Sequence, residues 1–290
     1  MPQPTNLTDL TVANGEPLVW GRRTYVMGII NLTPDSFSGD GLGPALDSQA
    51  GAAVHLGLGF QQAGADFLDL GAESTRPGNR PITAETELDR LLPALKALVG
   101  KVDIPISVDT YKSQVAQAAL AAGATLVNDV WGLKKDPRLA KVAAKAGAPL
   151  VLTHNQKGTR YGDLLADILT SLGSSARAAL EAGVAQENII LDPGIGFGKT
   201  PDHNLEILGR LKEFDALGYP LLVGTSRKST IGLVLNQPPD QRLEGTAATV
   251  ALAIAGGADI VRVHDVKEMV QVCRMTDAVI RGWRPPGWDR

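Results

Sequence analysis

The chain repeats one pattern eight times: a short apolar run, a loop of Pro, Gly and polar residues, then a stretch with helical spacing. The apolar runs are Tyr25–Asn31, Ala65–Leu70, Ile104–Asp109, Thr125–Asp129, Pro149–Thr153, Ile189–Asp192, Pro220–Gly224 and Asp259–Val263. Runs this short, rich in Val, Ile and Leu and closed by turn residues, read as buried strands. Between them come helices at Ser48–Ala63 (capped by Asp47 or Ser48), Thr83–Val99 and Lys112–Ala122. An Asp136-Pro137 pair opens the next, to Ala146, followed by Asp163–Ala182 and Pro201–Leu217. A stretch from Ser226 to Gly256, broken near Gln237-Pro238-Pro239, and Lys267–Arg281 complete the set. Such alternation demands parallel strands joined by right-handed crossovers. Eight units in 290 residues predict an α/β fold, a single-domain (β/α)8 TIM barrel over residues 23–284. Residues 1–22 are then a lead-in with a short hairpin, and 285–290 a tail. An open, doubly wound sheet with two extra units is the competing arrangement.

The densest segment is IILDPGIGFGKT, residues 189–200. A buried strand ends on Asp192 and empties into a loop with glycines at 194, 196 and 198. Thr200 and Pro201 then make an N-cap and a first helical residue. The loop imitates nucleotide motifs and misses both on spacing. Gly198-Lys199-Thr200 fits a Walker A ending, but Pro193 stands where the first glycine belongs, and G-x-G-x-G is not the dinucleotide fingerprint. ATP and NAD are therefore discounted. A carboxylate at such a strand end is costly unless something binds it.

Barrels of this kind carry their active sites at the C-terminal strand ends. Asn31, Asp69, Glu73, Asp109, Asn128, Asp129, His154 and Asp192 all fall there, as do the Gly224-Thr225-Ser226-Arg227-Lys228 loop, Arg262, His264 and Asp265. Asp109, Asn128 and Asp192 supply acceptors suited to a flat heterocycle with amino and amide edges, and Lys228 adds a cation. Arg76, Arg262 and His264 suit an anion such as a phosphate. Asn31 with phosphate oxygens suits Mg²⁺, which takes few protein ligands. The plainer readings are that Asp109 and Asn128 cap loops and that Arg262 pairs with Asp265 at the surface.

Charge and composition exclude other classes. A net charge of −3 with no basic block argues against nucleic acid. Cys273 is the only cysteine, so neither a disulfide framework nor a cysteine zinc site is expected. No apolar run is long enough to span a bilayer, and MPQPTNLTDL lacks the charged start and apolar core of a signal peptide, so a cytoplasmic protein is expected.

Seven stretches together resemble the dihydropteroate synthase family of pterin-binding barrels, from Tyr25 to about Arg284: MGIINLTPDSFS (27–38), LDLGAESTRPG (68–78), ISVDTYK (106–112), VNDV (127–130), ILDPGIGFGKT (190–200), GTSRKS (224–229) and VRVHDV (261–266). The resemblance implies an enzyme of folate synthesis. Such an enzyme joins 6-hydroxymethyl-7,8-dihydropterin pyrophosphate to 4-aminobenzoate and releases pyrophosphate, with Mg²⁺ as cofactor. It implies that Asp109, Asn128, Asp192 and Lys228 hold the pterin. Asn31 would serve Mg²⁺ and pyrophosphate, helped by Arg76, Arg262 and His264. Thr75, Pro77, Phe197 and Ser229 would frame 4-aminobenzoate, beneath loops carrying Asp35, Phe37 and Arg76. Expected partners are the two small substrates and a second copy of the chain, with no nucleic acid and no membrane.

Three departures stand out. Asn155 follows His154 where the family often has Met, Gly39-Asp40-Gly41 replaces the commoner Asp-Gly-Gly, and Ala72 replaces a frequent Gly. Two other readings compete. A pterin-binding methyltransferase domain would not need NLTPDSF and STRPG, and a non-catalytic binding protein should have lost one of Arg76, Asp192, Lys228 or Arg262.

The loops Leu32–Gly41 and Gly71–Arg80 combine Pro, Gly and Ser with charged side chains, the composition of lids that close over chemistry. Hydrogen exchange in both should slow when a pterin and pyrophosphate are added together. Equal exchange with and without ligands would refute a closing role.

Overall fold

The computed structural model describes residues 9–10, 17–33, 49–74 and 80–288. Its strands are β1 Tyr25–Asn31, β2 Phe67–Gly71, β3 Ile106–Asp109, β4 Leu126–Asp129, β5 Leu150–Thr153, β6 Ile189–Asp192, β7 Leu222–Val223 and β8 Ile260–Val263. Between and after them run α1 Gln49–Ala63, α2 Ala84–Leu98, α3 Ser113–Ala121, α4 Arg138–Ala146, α5 Leu164–Glu181, α6 Pro201–Gly209, α7 Ser229–Leu235, α8 Leu243–Ala255 and α9 Val266–Ile280. Every strand pairing is parallel, in the order β6-β5-β4-β3-β2-β1-β8-β7. A single parallel bridge, Leu191 to Leu221, joins the two ends, with Leu191 N–H donating to the Pro220 carbonyl at 2.9 Å. The sheet is thus a barrel rather than an open sheet, and its seam lies between β6 and β7.

The Thr200–Pro201 cap read from the sequence is in place, and two more helices are capped by side chains. Thr83 accepts from Thr86 N–H and Asp163 from Ala166 N–H, and Thr200 forms a capping box with His203, with Pro201 opening α6. Three local expectations change. The helix expected to reach Leu217 stops at Gly209, and a 3-10 segment, Leu211–Leu217, continues to Gly218 in the left-handed conformation. Strand seven shrinks to two residues between Pro220, which has no N–H to donate, and Gly224. Asp136 does not simply cap α4. Its carboxylate accepts from Arg138 N–H at 3.2 Å and from Ser113 N–H at 3.0 Å, so it stitches together the starts of two neighbouring helices.

Two apolar layers follow from strand alternation. Residues such as Val26, Ile30, Leu68, Val108, Leu150, Leu191 and Val261 face outward and pack under the helices. Tyr25, Met27, Phe67, Leu126, Val151, Ile190, Leu222 and Ile260 face inward and fill the lower barrel. Leu10, Leu18 and Trp20 of the lead-in join that inner cluster and close the floor, where Leu10 and Leu18 form an antiparallel bridge. Among the described residues no helix is long and apolar enough to cross a membrane.

Candidate active site

The inward face changes character one layer above Met27 and Phe67. Continuing the alternation upward brings Asn31, Asp69, Ser107, Asp109, Asn128, Thr153, Asp192, Arg262 and His264 to the mouth. The register confirms the level: Asn31 pairs with Gly71, Gly71 with Asp109 and Asp109 with Asn128. Polar residues scattered through the sequence thereby become one surface.

Arg262 holds the centre. Its Nε donates to Asp69 Oδ2 at 2.5 Å and its Nη2 to Asp109 Oδ2 at 2.8 Å. Asn128 Nδ2 donates to the same Asp69 oxygen at 3.0 Å. The arginine therefore does not pair with Asp265, which takes Arg227 instead at 2.5 Å. Asp69, Asp109 and Asn128 each keep one atom in reserve. Asp69 Oδ1, Asp109 Oδ1 and Asn128 Oδ1, together with Ser107 Oγ, are buried with no hydrogen-bond partner. Buried polar atoms are rarely left so, because each costs on the order of 1–3 kcal/mol. An amide oriented by Asp69 presents its oxygen to the mouth, so Asn128 and both carboxylates all offer acceptors. Desolvation raises the Asp109 pKa well above the usual carboxylate range, while Arg262 works against that shift.

Asp192 ends β6 and accepts from Gly194 N–H at 2.7 Å, and burial raises its pKa too. Lys228 faces it across the mouth. Burial lowers the Lys228 ammonium to about 8, against the pull of Asp192, and its Nζ sits 4.4 Å from the centre of the Phe197 ring. Ser229 is exposed at the start of α7. Asp35, Phe37, Thr75, Arg76 and Pro77 lie outside the described residues.

The glycine loop is shaped by its neighbours. A Cβ on Gly194, at φ +71°, would lie 2.0 Å from the His154 carbonyl oxygen. One on Gly198, at φ +58°, would lie 2.5 Å from that of Gln156. Both glycines let the loop lie against the segment after β5, and Gly196 N–H donates to Asn204 Oδ1 at 2.8 Å. Lys199, which completes the imitation of a phosphate motif, is buried with Nζ 2.9 Å from His154 Nδ1 and 3.0 Å from the Phe197 carbonyl. Burial lowers Lys199 to about 7, and burial with the nearby lysines takes His154 down to about 3, so that imidazole is neutral. At the far side, His264 N–H donates to Ser226 Oγ, and burial with Arg262 and Arg227 lowers His264 to about 3.

Two residues have roles beyond those expected of them. Asp69 is fully buried and orients both Arg262 and Asn128. Its signal was the Phe67–Asp69 alternation, which puts it on the face of the inner core. Glu73, four residues on, is engaged by Lys112, which also holds Glu87 at 2.5 Å.

A family of pterin binding enzymes matches residues 27–264. The dihydropteroate synthase of Clostridium beijerinckii is 51% identical over 262 residues, covering 90% of this chain and 96% of its own. That of Bacillus subtilis is 48% identical over 263 residues, 91% of each chain. Among solved structures, the Clostridium difficile dihydropteroate synthase in the presence of pteroic acid superposes with a TM-score of 0.86 at 50% identity, covering 90% of this chain and 98% of that one. The Xanthomonas albilineans enzyme in complex with 7,8-dihydropteroate gives 0.82 at 38% identity, covering 92% and 97%.

The network predicts an asymmetry in stability. Asp69→Ala strands two buried donors, and breaking a buried pair costs roughly 3–5 kcal/mol. Asp265→Ala, at a partly exposed pair, should cost under about 1 kcal/mol. Urea unfolding of both variants measures the difference, and equal losses would overturn the ranking.

Proposed function

We propose how this mouth works from one premise: the chain belongs to the pterin-binding enzyme family. Its activity is that of a dihydropteroate synthase. It condenses 6-hydroxymethyl-7,8-dihydropterin pyrophosphate with 4-aminobenzoate to 7,8-dihydropteroate, releasing pyrophosphate, in folate biosynthesis.

The observation that carries the residue roles is the wall of unpartnered buried acceptors, Asp69 Oδ1, Asp109 Oδ1 and Asn128 Oδ1. A flat ring edged with N–H donors would satisfy them, and Asp192 would receive the ring from the opposite side. Lys228 and Phe197, stacked on one another, would form the wall between the pterin and the arylamine. Ser229 stands at the exposed rim, where a carboxylate on 4-aminobenzoate would meet its hydroxyl and the first N–H groups of α7. On the family's pattern, Thr75 and Pro77 would complete that frame, and Asp35, Phe37 and Arg76 the cover.

The chemistry begins when the methylene C–O bond breaks and its electron pair leaves with pyrophosphate. Positive charge then develops on the methylene and spreads into the ring. Asp109 and Asp192 lie where that charge appears, already oriented and desolvated, which is the arrangement that favours a transition state over a ground state. Arg262 and His264 receive the departing anion. The aniline nitrogen next forms the C–N bond and gives up a proton.

The family's metal is compatible with Asn31. That residue ends β1 on the inward face, half-buried, and its side chain makes no hydrogen bond among the described residues. A single neutral oxygen fits a cation that keeps most of its shell from water and phosphate. Asn31 would hold Mg²⁺, which would neutralise charge on the pyrophosphate.

The assembly we propose is a homodimer built on α7, α8 and α9. Leu233, Val234, Leu252, Met275 and Val279 are exposed there, α8 carries Glu244 as its only charge, and Met275 and Val279 share one face a turn apart. A self-complementary apolar surface suits a two-fold contact.

Two outcomes are expected. Asp192→Ala and Asp109→Ala should each weaken a pterin analogue in calorimetry by about 1–3 kcal/mol and slow dihydropteroate formation; unchanged affinity in both would sink the pterin assignment. The double variant Met275→Lys, Val279→Lys should sediment as a monomer, and an unaltered dimer would place the interface elsewhere.

A further inference from the structure

His264 is the one imidazole on the inward face at the end of β8, and its chemistry depends on which nitrogen carries the proton. Ser226, on the loop after β7, touches it twice. The Ser226 Oγ accepts from the His264 backbone N–H at 3.1 Å, and the same oxygen lies 3.0 Å from His264 Nδ1. Ser226 is buried, and its hydroxyl has no other partner among the described residues. This leaves two arrangements. If Nδ1 carried the proton, Oγ would accept from two N–H groups of one residue, and its own buried O–H would have no acceptor. If Nδ1 is bare, the hydroxyl accepts from the backbone and donates to the ring, and every group is used. The second is strongly preferred, because a buried donor without an acceptor loses its hydration for nothing.

We infer that Ser226 is a positioning residue that locks His264 in the tautomer with a bare Nδ1 and a protonated Nε2, so that the ring offers one neutral N–H donor to the anion leaving the mouth. The inference rests on the proposed role of His264 at pyrophosphate.

The surroundings support a neutral ring. Burial first, then Arg262, Arg227 and Lys228, oppose a second proton on His264, against the pull of Asp265, which is itself paired with Arg227. Nε2 makes no hydrogen bond among the described residues, and His264 is half-buried at the mouth. A donor built this way differs from a lysine or arginine. It recognises an oxygen by direction, adds no charge, and so holds the anion without opposing its release as a third cation would. The device needs both loops, because Ser226 comes from the β7 side and His264 from the β8 side. It therefore also ties the anion donor to the loop that carries Lys228 and Ser229.

The test uses the full chain labelled with ¹⁵N-histidine. Two-bond proton–nitrogen spectra at neutral pH, with His264→Gln to assign the signals among the chain's four histidines, should show a bare Nδ1 and a protonated Nε2. A protonated Nδ1, or a doubly protonated ring, would overturn the inference. Calorimetry with inorganic pyrophosphate is the second arm. Ser226→Ala should weaken it by about 10-fold, the scale of lost outer-shell orientation, and leave a pterin lacking phosphates unchanged. If His264→Ala leaves pyrophosphate affinity intact, the anion role of His264 is wrong and this inference falls with it. If His264→Ala weakens pyrophosphate but Ser226→Ala does not, the inference alone fails.

Discussion

One guanidinium holds three strands of the mouth in a working arrangement. Arg262 projects from β8 into the barrel and is met by Asp69 from β2 and Asp109 from β3. Without it, two carboxylates would stand side by side in a dry interior, and one would have to take up a proton. With it, each spends one oxygen on the arginine and leaves the other buried and unpartnered. Asp69 passes the order on to β4 by fixing the amide of Asn128. Acceptors on β2, β3 and β4 thus owe their direction to one residue on β8. This also explains why a charge interrupts the aliphatic strand IVRV. Buried pairs are weak arguments for stability but good devices for specifying one geometry.

Stability and function share a register. Inward positions on the strands fill the lower barrel with Met27, Phe67, Leu126 and Ile190, and the next inward positions form the site. A slip of one residue would put Asp69 or Asp109 among the leucines under the helices and swing Leu68 or Val108 into the mouth. The hydrophobic cost of such a slip protects the site geometry. The floor matters too, because Leu10, Leu18 and Trp20 close the end away from the chemistry and let the inner layer pack without a pore.

Strand existence, parallel order and the identity of Asp109, Asn128, Asp192 and Arg262 as mouth residues were legible in the chain, because period-two alternation and turn chemistry are local signals. What was not legible depends on distant contacts. Arg262 has Asp265 three residues away, yet takes partners 193 and 153 residues back, because the strand points its side chain inward and Asp265 lies beyond the strand end. Asp69 and Glu73 look equivalent at the end of one strand, but only Asp69 is still on the sheet. The glycines at 194 and 198 imitate a nucleotide loop in the sequence, and the atoms they make room for are carbonyls of His154 and Gln156, contacts that no local pattern reveals.

The same burial that strains the mouth suits it to its reaction. Desolvation raises Asp109 and Asp192 and lowers Lys228, so each of these groups holds its charge less readily than it would in water. His154 and His264 are driven neutral and add no further cations. A ring that donates N–H groups to the carboxylates restores part of what they lost on folding. A ring that becomes positive restores more, because opposite charges attract more strongly where water is excluded. On the proposed pterin assignment, the site is under-satisfied toward a neutral ring and better matched to a cationic one. Folding stability is given up at Asp69, Asp109 and Asn128, where acceptors stay unpartnered, and on the proposed assignment that loss would be recovered as binding that grows along the reaction coordinate.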